Sequence, residues 1–343
     1  MAKSGLPAYY YPVSSVFVDR SQDFLTYFTR QLDQQLFAYS FTSTVEALAW
    51  LKKTKRLTTI RERSVKLNEE LVGNPITNQT ITLDLEEIYK EIYNPKRFSE
   101  IAVIIVNYDL EGLNGIEFLE KLKHQPVKKI LISSKIRKEE VYDAFNRGII
   151  DSYINKTDRD VLNKINDTIH ELQRQFFYDT SEEIRTILLK DQRSFITDPI
   201  FAEFFVKFCQ KHNIVEYYLL ELTGTFLLLD GDANTSYLVV KCYEDLHLHY
   251  EFAQDNGAPE SVLQAIRGGE KIPFTANSDD YFNLQDTEEW LTHIYPAEEL
   301  KGKFNTYYYS YIPNLASDLI DSKRIYSYNT HLLLTHSSSR ESV

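Results

Sequence analysis

The feature that most limits what this chain can fold into is its most apolar segment, Ile101–Val106 (IAVIIV). Six consecutive apolar residues without a polar alternation predict a strand that is buried on both faces, as in the centre of a parallel sheet. Amphipathic segments with apolar residues at helical spacing precede and follow it along the chain. The sequence therefore predicts an α/β fold in which helices cover both faces of a parallel sheet.

Five predicted strand and helix pairs follow one another in the first half of the chain. The predicted strands are Ser15–Asp19, Phe37–Phe41, Ile101–Val106, Lys129–Ser133 and Asp151–Ile154, and the helices after them begin near Phe24, Thr44, Gly115, Lys138 and Asp158. This order predicts a five-stranded, doubly wound parallel sheet as the fold of residues 1–178. The last helix is expected to extend to about Tyr178, which is longer than one layer of such a fold needs.

A long segment, at about residues 54–100, interrupts this pattern between the second helix and the third strand. Connections in such folds usually have about 2–6 residues, so we interpret the segment as an insertion. Apart from a predicted helix at Leu83–Tyr93, we expect it to be irregular.

The second half of the chain has a different pattern. Residues 179–334 predict an α+β domain with antiparallel strands, in which Phe226–Asp230 and Tyr237–Cys242 form a hairpin. The aromatic run Tyr307–Ile312 (YYYSYI) is expected to be a further strand, with a ligand-stacking platform as the alternative interpretation. The polar residues 335–343 are expected to be disordered.

Charge is unevenly distributed along the chain. The whole sequence has 38 Lys+Arg and 50 Asp+Glu, a formal net charge of −12. Residues 194–343 hold 10 basic and 22 acidic residues, which leaves 28 of each in the first half. Because phosphate neutralisation requires clustered Lys and Arg, we expect no direct DNA binding.

Other bulk features narrow the class of protein further. No apolar run approaches the roughly 18 residues that a membrane span needs, so no membrane partner is expected. Cys209 and Cys242 are the only cysteines, which excludes a disulfide framework. These features predict a cytoplasmic protein.

Two segments resemble the receiver domain of two-component response regulators. Ile101–Leu119 (IAVIIVNYDLEGLNGIEFL) is similar to the third strand, phosphorylation loop and third helix of that family. Lys129–Lys156 is similar to the fourth and fifth strands and the helix between them, with Ala144 and Gly148 where the family has Ala and Gly. The resemblance implies a CheY-like receiver domain that takes part in two-component signalling or a phosphorelay. It also implies a signalling partner, such as a histidine kinase or another regulator.

At two positions of the family's phosphorylation site the chain departs from the family. Counting back eight residues from Gly115 gives Asn107 where the family has its acceptor aspartate. Asp19 is followed by Arg20 where the family has a second acid. An amide has no carboxylate oxygen to accept a phosphoryl group, and the broken acidic pair makes Mg²⁺ doubtful. The resemblance therefore implies a degenerate phosphorylation site, or pseudo-receiver, with neither a cofactor nor a metal.

Other positions match the family. Ser133 and Lys156 correspond to the hydroxyl and the lysine that contact the phosphoryl group, and Tyr153 corresponds to the switch aromatic. Asp109 is an alternative acceptor two residues further along the chain. We also expect Arg20 to occupy the vacated metal region and to pair with Asp19.

Together these observations predict an atypical response regulator, not an enzyme, whose receiver is not phosphorylated. Its output would be the binding of a protein or a small ligand, and the receiver would supply a homodimer contact. Two alternatives stay open: a response regulator phosphorylated on Asp109, and an enzyme with an unrecognised nucleotide or small-molecule site in the C-terminal domain. His247 and His249 would share one face of a strand, but not of the helix expected there, so no metal site is predicted.

Overall fold

The computed structural model describes residues 5–33, 36–54, 58–72, 76–190, 194–275, 287–315 and 317–338. The strands are β1 Tyr9–Tyr10, β2 Ser14–Val18, β3 Phe37–Phe41, β4 Val65–Val72, β5 Ile76–Leu83, β6 Ile101–Asn107, β7 Lys128–Ser133, β8 Ser152–Asn155, β9 Ile214–Leu219, β10 Phe226–Asp230, β11 Thr235–Cys242, β12 Lys271–Pro273, β13 Ile294–Pro296, β14 Glu298–Lys301 and β15 Thr306–Pro313. The helices are α1 Gln22–Thr29, α2 Thr44–Thr54, α3 Ile60–Ser64, α4 Glu86–Tyr89, α5 Gly115–Glu120, α6 Lys138–Asn146, α7 Val161–Thr180, α8 Glu182–Lys190, α9 Pro199–Lys211, α10 Tyr243–Asp255, α11 Glu260–Arg267, α12 Thr287–Thr292 and α13 Tyr328–Ser338. Short 3₁₀ helices lie at Lys90–Tyr93, Pro95–Ser99, Ser194–Thr197 and Ser322–Arg324.

The chain divides into two compact units. The parallel-sheet unit consists of Pro12–Thr59 and Lys96–Thr180, and the second unit of Met1–Tyr11, Ile60–Pro95 and Ser181–Val343. This grouping differs from the predicted domains, because residues 1–11 and most of the insertion belong to the second unit. The physical reason is pairing between distant segments: β1 pairs with β9 of the second unit, and α4 packs against β9.

The parallel-sheet unit has the strand order β3-β2-β6-β7-β8, and all four strand pairs are parallel. The central strand β6 is buried from Ala102 to Val106, as its uninterrupted apolar run predicts. On one face, Val16 and Ile104 pack in a core cluster with α2, α5 and α6. On the other face, Phe17 contacts Phe28 of α1 with ring centroids 4.5 Å apart, and α7 packs against β6. The predicted five-stranded doubly wound fold is confirmed, and α7 extends to Thr180, close to the predicted end at Tyr178.

The insertion is more regular than the sequence analysis expected. It contains α3, the hairpin of β4 and β5, and α4 followed by a 3₁₀ turn in place of one continuous helix at Leu83–Tyr93. The two hairpin strands pair over their full length, from Val65↔Leu83 to Val72↔Ile76. Their backbone hydrogen bonds form although the strands are polar and lack an apolar run. The expectation of an irregular segment was therefore wrong.

The second unit is built on a six-stranded antiparallel sheet with the order β1-β9-β10-β11-β15-β14. The predicted hairpin of β10 and β11 is confirmed by the register Phe226↔Leu238. Phe201 and Phe205 of α9 are fully buried and contact Tyr307 and Phe226. Tyr307 thus belongs to a packed core on this face of the sheet.

Two further expectations for the C-terminal half have different outcomes. Helix α13 continues to Ser338, so the expected disorder is wrong for residues 335–338, while residues 339–343 lie outside the described part of the chain. His247 and His249 lie on α10, and the described residues contain no cluster of three His, Cys, Asp or Glu side chains that could hold a metal. In the same part of the chain, no helix has the length and apolar character to cross a membrane.

Candidate functional site

The candidate site lies at the carboxyl edge of the parallel sheet. Asp19 follows β2, Asn107 ends β6, Ser133 ends β7 and Lys156 follows β8. Because the strands are parallel and adjacent, their carboxyl ends meet at one edge, which is where ligands bind in folds of this type. The structure brings together, at this edge, four of the five residues that the sequence analysis assigned to the degenerate phosphorylation site, and the fifth, Arg20, is next to Asp19 in the sequence.

The innermost contact of the site joins Asp19 to Lys156. Only 2% of the Asp19 side chain is exposed, and its Oδ2 accepts a hydrogen bond from Lys156 Nζ. Its Oδ1 accepts a hydrogen bond from the backbone amide of Ser21 at 2.9 Å. Lys156 Nζ also lies 3.9 Å from the ring centroid of Phe24, a cation–π distance. The carboxylate of Asp19 is therefore neutralised by the lysine that follows β8.

Arg20 pairs with Asp109 and not with Asp19. Its Nη2 lies 2.8 Å from Asp109 Oδ2, and the two side chains are 60% and 61% exposed. The expectation that Arg20 would pair with Asp19 was wrong, because the Asp19 side chain turns inward to Lys156 while Arg20 stays at the surface. An exposed pair of this kind contributes about 0–1 kcal/mol to stability.

Asn107 is the residue predicted at the acceptor position, and its side chain is held within its own loop. Its Nδ2 donates a hydrogen bond to the backbone carbonyl of Asp109 at 3.2 Å, and the residue is buried. Gly115 approaches so closely that an added Cβ would lie 2.5 Å from the Asn107 carbonyl oxygen. Asn114 and Glu117 form a capping box that begins α5 at this point. The spacing between Asn107 and Gly115 thus reflects a tight packing contact.

Ser133 and Tyr153 lie on the far side of the site. Ser133 Oγ accepts a hydrogen bond from the backbone amide of Lys135 at 3.1 Å. Tyr153 OH donates to the Ser133 carbonyl at 3.5 Å, and its ring packs against the core cluster. Burial raises the pKa of Tyr153, and nearby Asp158 adds to this effect. The phenol is therefore neutral at physiological pH and turned toward the strand.

Sequence reasoning missed one contact beside this site. Tyr108, the residue after Asn107, donates a hydrogen bond from its hydroxyl to Glu140 Oε2 at 2.6 Å. Arg137 Nε donates to the other oxygen of Glu140 at 2.5 Å. Tyr108 and Glu140 are 32 residues apart, and an acidic residue in the first turn of a helix is common for local reasons. No sequence signal links the two.

The charges of the site balance. Asp19 and Asp109 carry one formal negative charge each, and Lys156 and Arg20 one formal positive charge each, in two ion pairs. An acceptor aspartate and an acidic pair would instead leave an excess of negative charge, which a divalent cation neutralises in phosphoryl transfer. The arrangement neutralises its own carboxylates with side chains of the same chain.

The fold and the arrangement of its edge residues define a receiver domain. Neither a protein-family model nor a curated protein matches the chain. Among solved structures, the chain is similar to the Legionella pneumophila response regulator LqsR, at 35% sequence identity over 95% of each chain and a TM-score of 0.80. Similarity at this level over nearly the whole length shows that the chain belongs to the response regulators.

Two weaker similarities cover about half of the chain. A CheY-like receiver domain protein from Methanospirillum hungatei shares 18% identity, over 48% of this chain and 98% of its own, with a TM-score of 0.30. An adenylate cyclase from Rhodopirellula baltica shares 17% identity, over 51% of this chain and 97% of its own, with a TM-score of 0.34. These two similarities are too weak to carry an argument about the chain.

Proposed function

We propose that this protein is an atypical, non-enzymatic response regulator whose receiver works without phosphorylation. The observation that carries the proposal is the amide of Asn107 at the acceptor position, which donates to the carbonyl of Asp109. Covalent phosphorylation requires a nucleophilic oxygen such as that of a carboxylate, and an amide does not supply one. In relatives that are switched by phosphate, the Asp109 position contributes a backbone oxygen to the metal, and here the Asn107 side chain uses that oxygen.

The same residues are a poor set of ligands for Mg²⁺, which supports a receiver that needs no metal. Mg²⁺ takes oxygen ligands, most often one or two carboxylates with water and phosphate oxygens. Arg20 replaces one of the two expected acids, and its guanidinium would repel a cation. Asp19 is already bound to Lys156 and to the Ser21 amide.

The output of the protein in this proposal is binding of a signalling protein or a small ligand, as the acidic C-terminal half favours over nucleic acid. The partner is a histidine kinase or another regulator. Self-association through the receiver is supported by Tyr142 and Phe145, which lie on α6 with 67% and 40% of their surface exposed. The two free cysteines, Cys209 and Cys242, support a cytoplasmic location.

The test is phosphorylation of the full-length protein by acetyl phosphate with Mg²⁺, followed by intact-mass measurement. We expect no phosphoryl group on the wild-type protein. The double variant Arg20→Asp/Asn107→Asp restores both missing acids and is the positive control. Stoichiometric phosphorylation of the wild type would overturn the proposal.

Asp109 is the alternative acceptor, and its exposed carboxylate is the specific observation that favours this alternative. If the wild-type protein takes up a phosphoryl group, the variant Asp109→Asn identifies the acceptor. Loss of the added mass in Asp109→Asn would assign the phosphoryl group to Asp109. Retention of the mass would place it on another residue.

A further inference from the structure

Tyr108 connects the loop after β6 to the first turn of α6. Its hydroxyl lies 2.6 Å from Glu140 Oε2, and its ring packs against the core cluster between the sheet and α6. Arg137, the residue before α6, donates to the second oxygen of Glu140. Both carboxylate oxygens of Glu140 are therefore engaged.

The position of Tyr108 is fixed from the backbone side as well. Its amide donates to the carbonyl of Ile132 on β7 at 2.8 Å, and its carbonyl accepts from the amide of Gly115 at 2.8 Å. The missing Cβ of Gly115 permits this approach, since a side chain there would collide with Asn107. The phenol thus extends from an anchored point of the sheet edge to a helix that begins five residues after β7.

The chemistry of the contact makes it one of the stronger kinds of hydrogen bond. The bond to Glu140 raises the pKa of Tyr108, and the bonds from Tyr108 and Arg137 lower the pKa of Glu140. At neutral pH a neutral phenol therefore donates to an ionised carboxylate, and a hydrogen bond to a charged acceptor is shorter and stronger than a neutral one.

We propose that Tyr108 and Glu140 form a latch that holds the segment from Ser134 to Val141 in one conformation without a phosphoryl group. In this chain the segment joins Ser133 at the site to α6, whose exposed Tyr142 and Phe145 face outward. The latch keeps that surface constantly available to a partner. This inference rests on the proposed function in one respect, because it takes the segment to be positioned without phosphorylation of the receiver.

The test is hydrogen–deuterium exchange of the full-length variant Tyr108→Phe, read out on peptides that cover residues 134–141. Removing the hydroxyl should raise exchange there about two- to tenfold, the range expected from one net hydrogen bond. Tyr27→Phe is the matched control, because Tyr27 is a tyrosine of the same unit, on α1, with 56% of its surface exposed. It should leave exchange of the segment unchanged.

A second variant, Glu140→Gln, separates the latch from a general effect on stability. Alone it should raise exchange of residues 134–141, because it removes the charge that both Tyr108 and Arg137 contact. Tyr108→Phe should have a smaller effect in the Glu140→Gln background than in the wild type, because the hydroxyl then has only a neutral acceptor to lose. Equal exchange of residues 134–141 in Tyr108→Phe and Tyr27→Phe would overturn the latch. A uniform rise of exchange throughout the parallel-sheet unit would also overturn it, because that pattern indicates a loss of overall stability.

The latch and the proposed function fail separately. Uptake of a phosphoryl group by the wild-type protein would refute the unphosphorylated receiver whatever the exchange data show. Unchanged exchange in Tyr108→Phe would refute the latch in a protein that still takes up no phosphoryl group.

Discussion

Replacing Lys156 by methionine should destabilise the parallel-sheet unit, because it leaves the buried carboxylate of Asp19 without its cation. Removing one partner of a buried ion pair costs about 3–5 kcal/mol. Here 18% of the Lys156 side chain is exposed, and Asp19 keeps its hydrogen bond from the Ser21 amide. We therefore expect a loss at or just below the lower limit of that range, about 2–3 kcal/mol.

The assay is urea unfolding at pH 7, followed by tryptophan fluorescence. Trp50 lies in the parallel-sheet unit and Trp290 in the second unit. A loss of stability that is limited to the parallel-sheet unit can therefore be recognised. The double variant Asp19→Asn/Lys156→Met should lose only about 1 kcal/mol, since it buries no unpaired charge.

Arg20→Met is the matched control for the loss of a cation at the same site. The pair of Arg20 with Asp109 is exposed, so its loss should cost about 0–1 kcal/mol. If Lys156→Met were no more destabilising than Arg20→Met, the buried ion pair would contribute no more to the free energy of unfolding than the exposed pair does. The reasoning from burial would then be refuted.

Three further predictions concern other contacts. Asp198→Ala should lower the free energy of unfolding of the second unit by about 2–4 kcal/mol in urea titrations, because the buried carboxylate caps α9 and also accepts from the Phe304 amide and the Tyr307 hydroxyl. Gly115→Ala should destabilise the parallel-sheet unit by about 1–3 kcal/mol in thermal unfolding, since its Cβ would overlap the Asn107 carbonyl. Burial, with a contribution from Lys241, lowers the pKa of His249 to about 4 from an ordinary 6.5. The folded state therefore binds fewer protons than the unfolded state between these values, and stability should fall as the pH drops from 6.5 to 4. His249→Gln should reduce that slope in pH-dependent unfolding, and the exposed His247→Gln should not.

The parallel sheet was predictable because its signal is local. The run Ile101–Val106 has no polar residue, and a central strand is the setting in which both faces of a strand are buried. Phe37–Phe41 has the same bounds in the prediction and in the structure. The order of the strands in the sheet does not follow from the runs themselves.

The partners of the charged residues at the site were not predictable in the same way. Asp19 and Arg20 are adjacent in sequence, which suggested that they pair with each other, but their side chains leave the backbone in different directions. Each finds its partner in the segment that follows another strand, Asp19 with Lys156 after β8 and Arg20 with Asp109 after β6. Several residues of either sign lie within reach of such an edge, and the sequence does not say which of them the fold brings closest.

The assignment of residues 1–11 and of the insertion to the second unit depended on contacts between even more distant residues. Strand β1 has only two residues, and its place in a sheet is decided by pairing of Tyr9 with Tyr218 and of Tyr10 with Tyr217. No periodicity in such a short segment indicates which unit it joins. The four residues of α4 present the same difficulty, because their packing partner β9 lies more than a hundred residues further along the chain.

The division of the chain into two units bears on the proposed function. The chain passes between the two units four times, at residues 11/12, 59/60, 95/96 and 180/181. Strand β2, which precedes Asp19, begins two residues after the first of these crossings, and β6, which ends at Asn107, begins a few residues after the third. The two strands that lead to Arg20 and Asn107 therefore each begin shortly after the chain has crossed from the other unit. A receiver joined by one linker can be switched as a separate module, whereas here both strands are covalently constrained at their amino ends. This connectivity supports the proposed receiver, which works without phosphorylation.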